Sequence, residues 1–436
     1  VTYVAGAAGV MTAFRDLINS AEHSIVMQMY LLARNGDQTT LLPRPHAEPH
    51  ADELVACMIA KKRARPALPI VVLLDSNTPA DPARTRRRGE LIRNDLERAG
   101  IPVLTANLFN NCFDPRRRLL PAKNLHLDHA AVPPARWVEQ QNRWQSLHNV
   151  EDHRKNLVID GGRAGAITSH NFFDPAFDWH ENLFGLAGRP ARQLWRIAAA
   201  ALTAAMEIPQ TLDPAGRAAV DAILATPALP DPDELTTDEL IENTSIRPHL
   251  EALCADAGPG DPLLVATTYF SDLPALDCLA RAARRGARVR VLIDSIHALP
   301  LPPLYAWLTC NLANHRVIEQ AHRLHAELPG NFELRVHDSR RGTMMHLKTI
   351  ARLGPRPALL GGQANFTPNS FSGAWLETDL ATRDPATIAA FTDHFNSLWT
   401  LDASRPPAPP RGLRGTLRAR TLSTLLAAFA RVGLRP

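Results

Sequence analysis

The run His148-Asn-Val-Glu-Asp-His153-Arg-Lys155-Asn-Leu-Val-Ile-Asp160, continued by Ser169-His-Asn171, decides how the rest of the chain is read. Its segment Asn156–Ile159 is apolar enough for a buried strand. Side chains two apart on a strand share a face, so His153 and Lys155 point the same way. An imidazole beside an ammonium suits an anionic phosphoryl group. A single pair of this kind carries little weight, but the chain writes it twice.

The second copy is Met345-His346-Leu-Lys348-Thr-Ile-Ala-Arg-Leu353. The repetition extends downstream of both pairs. His153 is followed by Asn171 at +18 and by Trp179-His-Glu181, with Glu at +28. His346 is followed by Asn365 at +19 and by Trp375-Leu-Glu377, with Glu at +31. Upstream, the strand patterns ending at Tyr30 and Asp75 match those ending at Tyr269 and Asp294. Helical patterns at 11–21, 51–63, 85–99 and about 190–207 alternate with the strands of the first half, and those at 273–286 and 305–328 with the strands of the second. A long internal repeat with this alternation implies two similar α/β halves, each a mostly parallel sheet flanked by helices, facing each other about a pseudo-two-fold. The expected boundaries are 1–210 for the first repeat, 211–248 for a turn-rich linker, 249–400 for the second repeat and 401–436 for a Pro-rich tether and tail.

The composition, 45% hydrophobic and 21% charged over 436 residues, is that of a globular protein with room for two to three domains. No run of eighteen uncharged apolar residues exists to span a membrane. The cysteines, Cys57, Cys112, Cys254, Cys278 and Cys310, contain no C-x-x-C pair, which argues against a disulfide framework or a zinc site. His126-Leu-Asp128-His129 lacks a second ligand pair and reads as a polar loop. Trp137, Trp144, Phe172 and Phe173 read as ordinary packing. No metal or other cofactor is expected. Net charge is +4, but seven arginines and no acidic residue follow Asp402, so the body is slightly acidic. That is unlike a duplex-DNA binder.

With its paired H-x-K motifs, the Asp160 after the first and an Asn after each, the chain resembles the phospholipase D superfamily over most of residues 1–400. Tyr269-Phe270, Gly361-Gly-Gln-Ala-Asn365-Phe-Thr367 and Glu377 are similar to its cardiolipin synthase-like branch. The second motif departs in carrying Leu353 where the family usually has Asp, and the first has Thr168-Ser169 in place of a glycine turn. The resemblance implies a phosphodiesterase or phosphatidyltransferase acting on phospholipids through a phosphohistidine, with no metal. It implies His153, His346, Lys155, Lys348 and Asp160 as catalytic residues, and Asn171 and Asn365, with the two lysines, as phosphate-binding. His153 is taken as nucleophile because its motif keeps Asp160, and His346 as general acid. Glu181 and Glu377 are suited to orient an imidazole through its far nitrogen.

A nuclease or DNA-end-processing phosphodiesterase is the alternative, since the same groups cleave any exposed diester, and a degenerate scaffold marked by Leu353 is a third reading. Leu422, Leu425, Leu426, Phe429 and Val432 share a helical face opposite Arg420 and Arg431, after Pro406-Pro-Ala-Pro-Pro410. Residues 413–435 are therefore expected to contact an anionic membrane surface peripherally. One chain completes the site, so a monomer suffices. The expected location is cytoplasmic or peripheral to a membrane. A secreted or periplasmic one is left open because the chain starts at Val1, not Met.

Overall fold

The structure, a computed structural model, describes residues 1–33, 50–75, 90–107, 151–173, 179–206, 212–231, 237–295, 314–339, 343–371, 373 and 375–407. The readings made for His126, Asp128, His129, Trp137, Trp144 and the 413–435 tail lie outside these residues.

In the first half the order is β1 (Thr2–Ala5), α1 (Ala7–Ser20), β2 (Ile25–Met29), β3 (Leu32–Ala33), α2 (His50–Ala64), β4 (Ile70–Asp75), α3 (Glu90–Arg98) and β5 (Val103–Asn107). It continues with β6 (Glu151–Asp152), β7 (Lys155–Ile159), β8 (Ala164–Thr168), β9 (Phe172–Phe173), β10 (Asn182–Ala187) and α4 (Gly188–Met206). Helix α5 (Pro214–Leu224) packs on α4 and β4. The second half then brings β11 (Glu239–Glu242), α6 (Ile246–Ala255), β12 (Pro262–Thr267), α7 (Leu273–Arg284), β13 (Arg288–Asp294), α8 (His315–Glu327) and β14 (Phe332–His337). It closes with β15 (Lys348–Arg352), β16 (Ala358–Gly362), α9 (Pro368–Phe371), β17 (Trp375–Leu376), β18 (Thr378–Thr382), α10 (Pro385–Trp399) and β19 (Ser404–Arg405).

The two sheets repeat one order: β1-β10-β8-β7-β2-β4-β5 in the first, β11-β18-β16-β15-β12-β13-β14 in the second, with β19 added at the edge. The expectation of mostly parallel sheets is corrected. Parallel pairing is confined to β2-β4-β5 and β12-β13-β14, and the other pairs within the two sheets are antiparallel. The cause is connection length. Tight turns join β7 to β8 and β15 to β16, and a tight turn can only produce an antiparallel neighbour, whereas β2-to-β4 and β12-to-β13 carry helical crossovers.

Strand alternation assigns the core. On β7, Leu157 and Ile159 face the layer containing α1 and α2, while Val158 faces the opposite way. Val26, Val71 and Val158 of the first sheet, Leu264, Ala266 and Leu292 of the second, and α4 and α10 form one central core between the sheets. Helices α6, α7 and α8 cover the outer face of the second sheet. The halves also embrace: α4 packs on β11 and α10 on β1, where Tyr3 Oη meets His394 Nδ1 at 2.9 Å. Among the described residues no helix is long and apolar enough to cross a membrane.

Asp160 is a part of this framework. Its buried carboxylate accepts the backbone N–H groups of Glu22 (2.9 Å), His23 (2.6 Å) and Ser24 (2.9 Å), and Arg163 closes on it at 2.8 Å. It therefore clamps the turn entering β2. Seven residues at about 3.3 Å per residue put it roughly 20 Å from His153. Its inclusion among the catalytic residues is corrected: a strand carries it to the far end of the sheet. The second half holds the equivalent turn differently. Asp261, inside the turn, accepts the Gly258 N–H at 2.9 Å, and Gly354 leaves room for it, since a Cβ there would lie 2.5 Å from Asp261 Oδ1. Leu353 thus stands where no clamping carboxylate is needed.

Burial pushes the Asp160 carboxyl upward, but the three N–H groups and Arg163 outweigh it and hold it below its ordinary value. Its stabilisation is complete above the ordinary carboxylate range and is lost as pH falls through the depressed value. Asp160→Ala is expected to cost about 3 kcal/mol, because it leaves the Ser24 N–H buried and unpaired. Urea denaturation checks this, and an unchanged midpoint would mean that the clamp carries no load.

Candidate active site

The N-terminal ends of β7 and β15 meet where the halves exchange backbone. Parallel pairing of β6 with β17 sets Asp152 against Leu376, and His153 N–H donates to Leu376 O at 3.0 Å. In the other half His180 and Met345 form a parallel bridge, and His346 N–H donates to His180 O at 2.9 Å. Each H-x-K segment is therefore threaded onto the W-x-E segment of the opposite repeat.

This threading crosses the glutamates over. His153 Nδ1 lies 2.9 and 3.0 Å from the Glu377 oxygens, and His346 Nδ1 lies 2.9 and 3.0 Å from those of Glu181. Both histidines are nearly fully buried and both glutamates wholly so. The tryptophans of the same segments pack on the same rings. Trp375 stacks on His153 with centroids 5.1 Å apart, and Trp179 lies 5.1 Å from His346. Lys155 Nζ donates to His153 O at 2.6 Å, and Lys348 Nζ to His346 O at 2.8 Å, so each lysine is folded back beside its histidine. Tyr30 also packs edge-on to His153 at 4.3 Å, with the Lys155 ammonium 5.0 Å from its ring centre. Asn171 and Asn365 are buried after β8 and β16, each with an Oδ1 lacking a hydrogen-bond partner.

Several supporting groups escaped the sequence reading. Asp75 and Asp294, at the ends of β4 and β13, accept the N–H of the residue just before each histidine, Asp152 at 2.5 Å and Met345 at 2.7 Å. The signal was present, because both strands end in Asp in both repeats. Ser169 donates to Glu181, and Ser370 donates to Glu377 at 3.1 Å. Gln363 reaches across to Lys155 O (2.9 Å) and Asn156 Oδ1 (2.7 Å), and Asn182 across to Thr349 Oγ1 (3.3 Å). Nothing in either repeat alone advertises such seam contacts.

The electrostatics follow from burial and crowding of like charge. Burial, then Lys155, Lys348 and His346, push His153 well below its ordinary value. Burial brings His346 to about 4, with Lys348 and Lys155 adding to the effect and Glu181 opposing it. Burial and Lys155 bring Lys348 to about 7 against the pull of Glu181, Glu377 and Asp379. A site that lowers the pKa of its own cations in this way is one that an anion would relieve.

Two α/β repeats thus trade His–Glu pairs across a buried seam, each with a lysine beside the imidazole, and the second repeat carries a phospholipase D-like domain. Residues 258–399 match the family described as cardiolipin synthase, PLD-like domain. No curated protein sequence matches the chain. Among solved structures, phosphatidylserine synthase from Haemophilus influenzae Rd KW20 has a TM-score of 0.61 at 12% identity, over 99% of this chain and 92% of that one. Polyphosphate kinase from Porphyromonas gingivalis gives 0.47 at 11% identity, over 98% of this chain and 55% of that one. Nuc, a phospholipase D family member from Salmonella typhimurium, gives 0.30 at 16% identity, over 39% of this chain and 99% of that one. The first shares the fold, and the other two are too distant to add to it.

Proposed function

We propose that the protein cleaves or exchanges the head-group ester of an anionic phospholipid such as phosphatidylglycerol, through a phosphohistidine. The observation that carries this reading is the reciprocal pairing: each imidazole is held at Nδ1 by a buried carboxylate from the opposite repeat, which leaves its Nε2 for reaction. One Nε2 attacks phosphorus, forming the N–P bond as the P–O bond to the head group breaks. The other imidazole, protonated, gives its proton to the departing alkoxide. It then takes a proton from water or an acceptor alcohol, whose oxygen displaces the histidine from phosphorus. Lys155 and Lys348 offset the charge on the phosphoryl oxygens, and the amides of Asn171 and Asn365 donate to them. The slightly acidic body and the resemblance to lipid-directed relatives favour a lipid over a polynucleotide, and one chain suffices for activity.

The test is incubation of the purified chain with phosphatidylglycerol vesicles and, separately, with single-stranded DNA. Head-group release or cardiolipin formation is expected with the lipid. Cleavage of DNA alone would reassign the substrate, and silence on both would remove the enzymatic reading. Residues 413–435 are proposed to hold the protein at the vesicle. Truncation after residue 407 spares β19 and is expected to weaken co-sedimentation with anionic vesicles at least about tenfold. Unchanged co-sedimentation would dispose of that role.

A further inference from the structure

We infer that His170 and Asp379 give the two histidines unequal roles, with His346 the nucleophile and His153 the general acid. This rests on the two-histidine reading above and reverses the order expected from Asp160, which lies at the far end of its strand and cannot distinguish them.

The two halves of the site are close copies. The His–Glu distances are the same in both, each lysine donates to the carbonyl of its own histidine, and a serine hydroxyl donates to each glutamate. When the repeats are aligned on Asn171 with Asn365 and on Glu181 with Glu377, Ser169, His180 and Asn182 stand opposite Gln363, Leu376 and Thr378, and two further differences place an ionisable group against a glutamate. His170 stands opposite Ala364, and Asp379 stands opposite Leu183. His170 is wholly buried, with Nδ1 3.4 Å from Glu181 Oε1, and neither ring nitrogen has a hydrogen-bond partner. The His50 ring stands 5.9 Å behind it. Asp379, two residues after Glu377 and so on the same side of the extended chain, is buried, and its Oδ1 accepts the N–H groups of Gln363 (2.6 Å) and Ala364 (3.0 Å).

A buried imidazole–carboxylate pair with one proton carries charge −1. That proton sits on Nδ1 against the carboxylate, and Nε2 keeps its lone pair. With two protons the pair is neutral and Nε2 bears a hydrogen. The first state is a nucleophile and the second a general acid. A second imidazole at the carboxylate favours the charged state, and a second carboxylate disfavours it. Lys155 and Lys348 crowd the site from both halves and do not select between the pairs, and buried Arg154, whose charge also reaches Glu377, is taken up first by Asp152 at 2.8 Å and by Glu242 at 3.5 Å. The placement of His170 and Asp379 does select. The acidities agree. Burial pushes both glutamates upward, but His346 and His170 hold Glu181 well below its ordinary value. Glu377 stays well above its own, with Asp379 adding to burial. Burial also brings Asp379 to about 7.

In the resulting sequence His346 Nε2 forms the bond to phosphorus, and His153 Nε2–H protonates the alkoxide as the P–O bond breaks. His153 then removes the proton from the water or alcohol that releases His346. His170 and Asp379 are positioning residues, each acting through a glutamate.

Three measurements test this. Wild-type enzyme quenched in base during turnover of phosphatidylglycerol, then mapped by mass spectrometry, should carry the phosphoryl adduct on His346, whereas an adduct on His153 would overturn the order. A p-nitrophenyl phosphodiester has a leaving group that needs no proton. On it His153→Ala should still release a burst of about one p-nitrophenol per enzyme, although turnover falls because release of His346 has lost its base, while turnover on lipid falls at least about 10³-fold, and His346→Ala should show neither burst nor turnover. The opposite pattern overturns the order. Asp379→Asn should slow lipid cleavage about tenfold or more and spare the p-nitrophenyl ester, and His170→Asn should slow both. A merely structural Asp379 would slow the two substrates equally. Absence of any adduct, with full activity in both histidine variants, would instead sink the two-histidine chemistry itself.

Discussion

His153→Ala and His346→Ala are each expected to lower turnover of a phospholipid by at least about 10³-fold, with far smaller changes in KM. A covalent intermediate and a proton donor are both required when the leaving group is an alkoxide, so removing either blocks the same first step. The double variant should be no worse than about the poorer single one, because groups that act as a unit do not add. Both rings are packed, His153 between Tyr30 and Trp375 and His346 against Trp179, so circular dichroism and a denaturation midpoint must accompany the rates. Head-group release from phosphatidylglycerol vesicles is the readout. If either folded variant retained activity within tenfold of wild type on lipid, the chemistry would not use two imidazoles.

The sequence discloses those two histidines because the motif around each is local. His153 and Lys155 lie on one short strand, as do His346 and Lys348, and the W-x-E segments follow at similar spacing. What it does not disclose is the exchange. That Glu377 serves His153 and Glu181 serves His346 depends on β6 pairing with β17 and His180 bridging to Met345, contacts between segments some two hundred residues apart. Asp160 misleads for the opposite reason. It is near His153 along the chain, but an extended strand converts short sequence separation into the longest distance available. Leu353 reads as a loss only until Asp261 is seen holding the equivalent turn from within. The sheets were read as mostly parallel from the alternation of strands and helices. That pattern holds for three strands of each sheet and fails where a turn replaces the helix.

The other large effect concerns Lys348. Its ammonium is charged below about 7 and neutral above, an inversion of the usual case in which a lysine stays charged throughout the physiological range. Only the charged form offsets a phosphoryl oxygen, so kcat/KM, which reports the free enzyme, is expected to fall as pH rises above about 7. Bound phosphodiester supplies a negative charge and raises the lysine again, so the corresponding limb in kcat should lie at higher pH. The groups facing Lys348 do not all pull one way. Lys155 lowers it, Glu181, Glu377 and Asp379 raise it, and Asp379 itself gains charge near the same pH, which blunts the limb without moving it downward. Lys348→Arg keeps a charge at all pH values and should shift the alkaline limb of kcat/KM upward even if the maximum rate falls. Lys348→Met should lower kcat/KM by about 10² to 10³-fold, the range for deleting one donor to a developing oxyanion, and remove the limb. If the limb stayed in place in Lys348→Arg and disappeared in Asp379→Asn, the titration would belong to the carboxylate, and Lys348 would be a fixed cation whose buried position costs the site no charge at neutral pH.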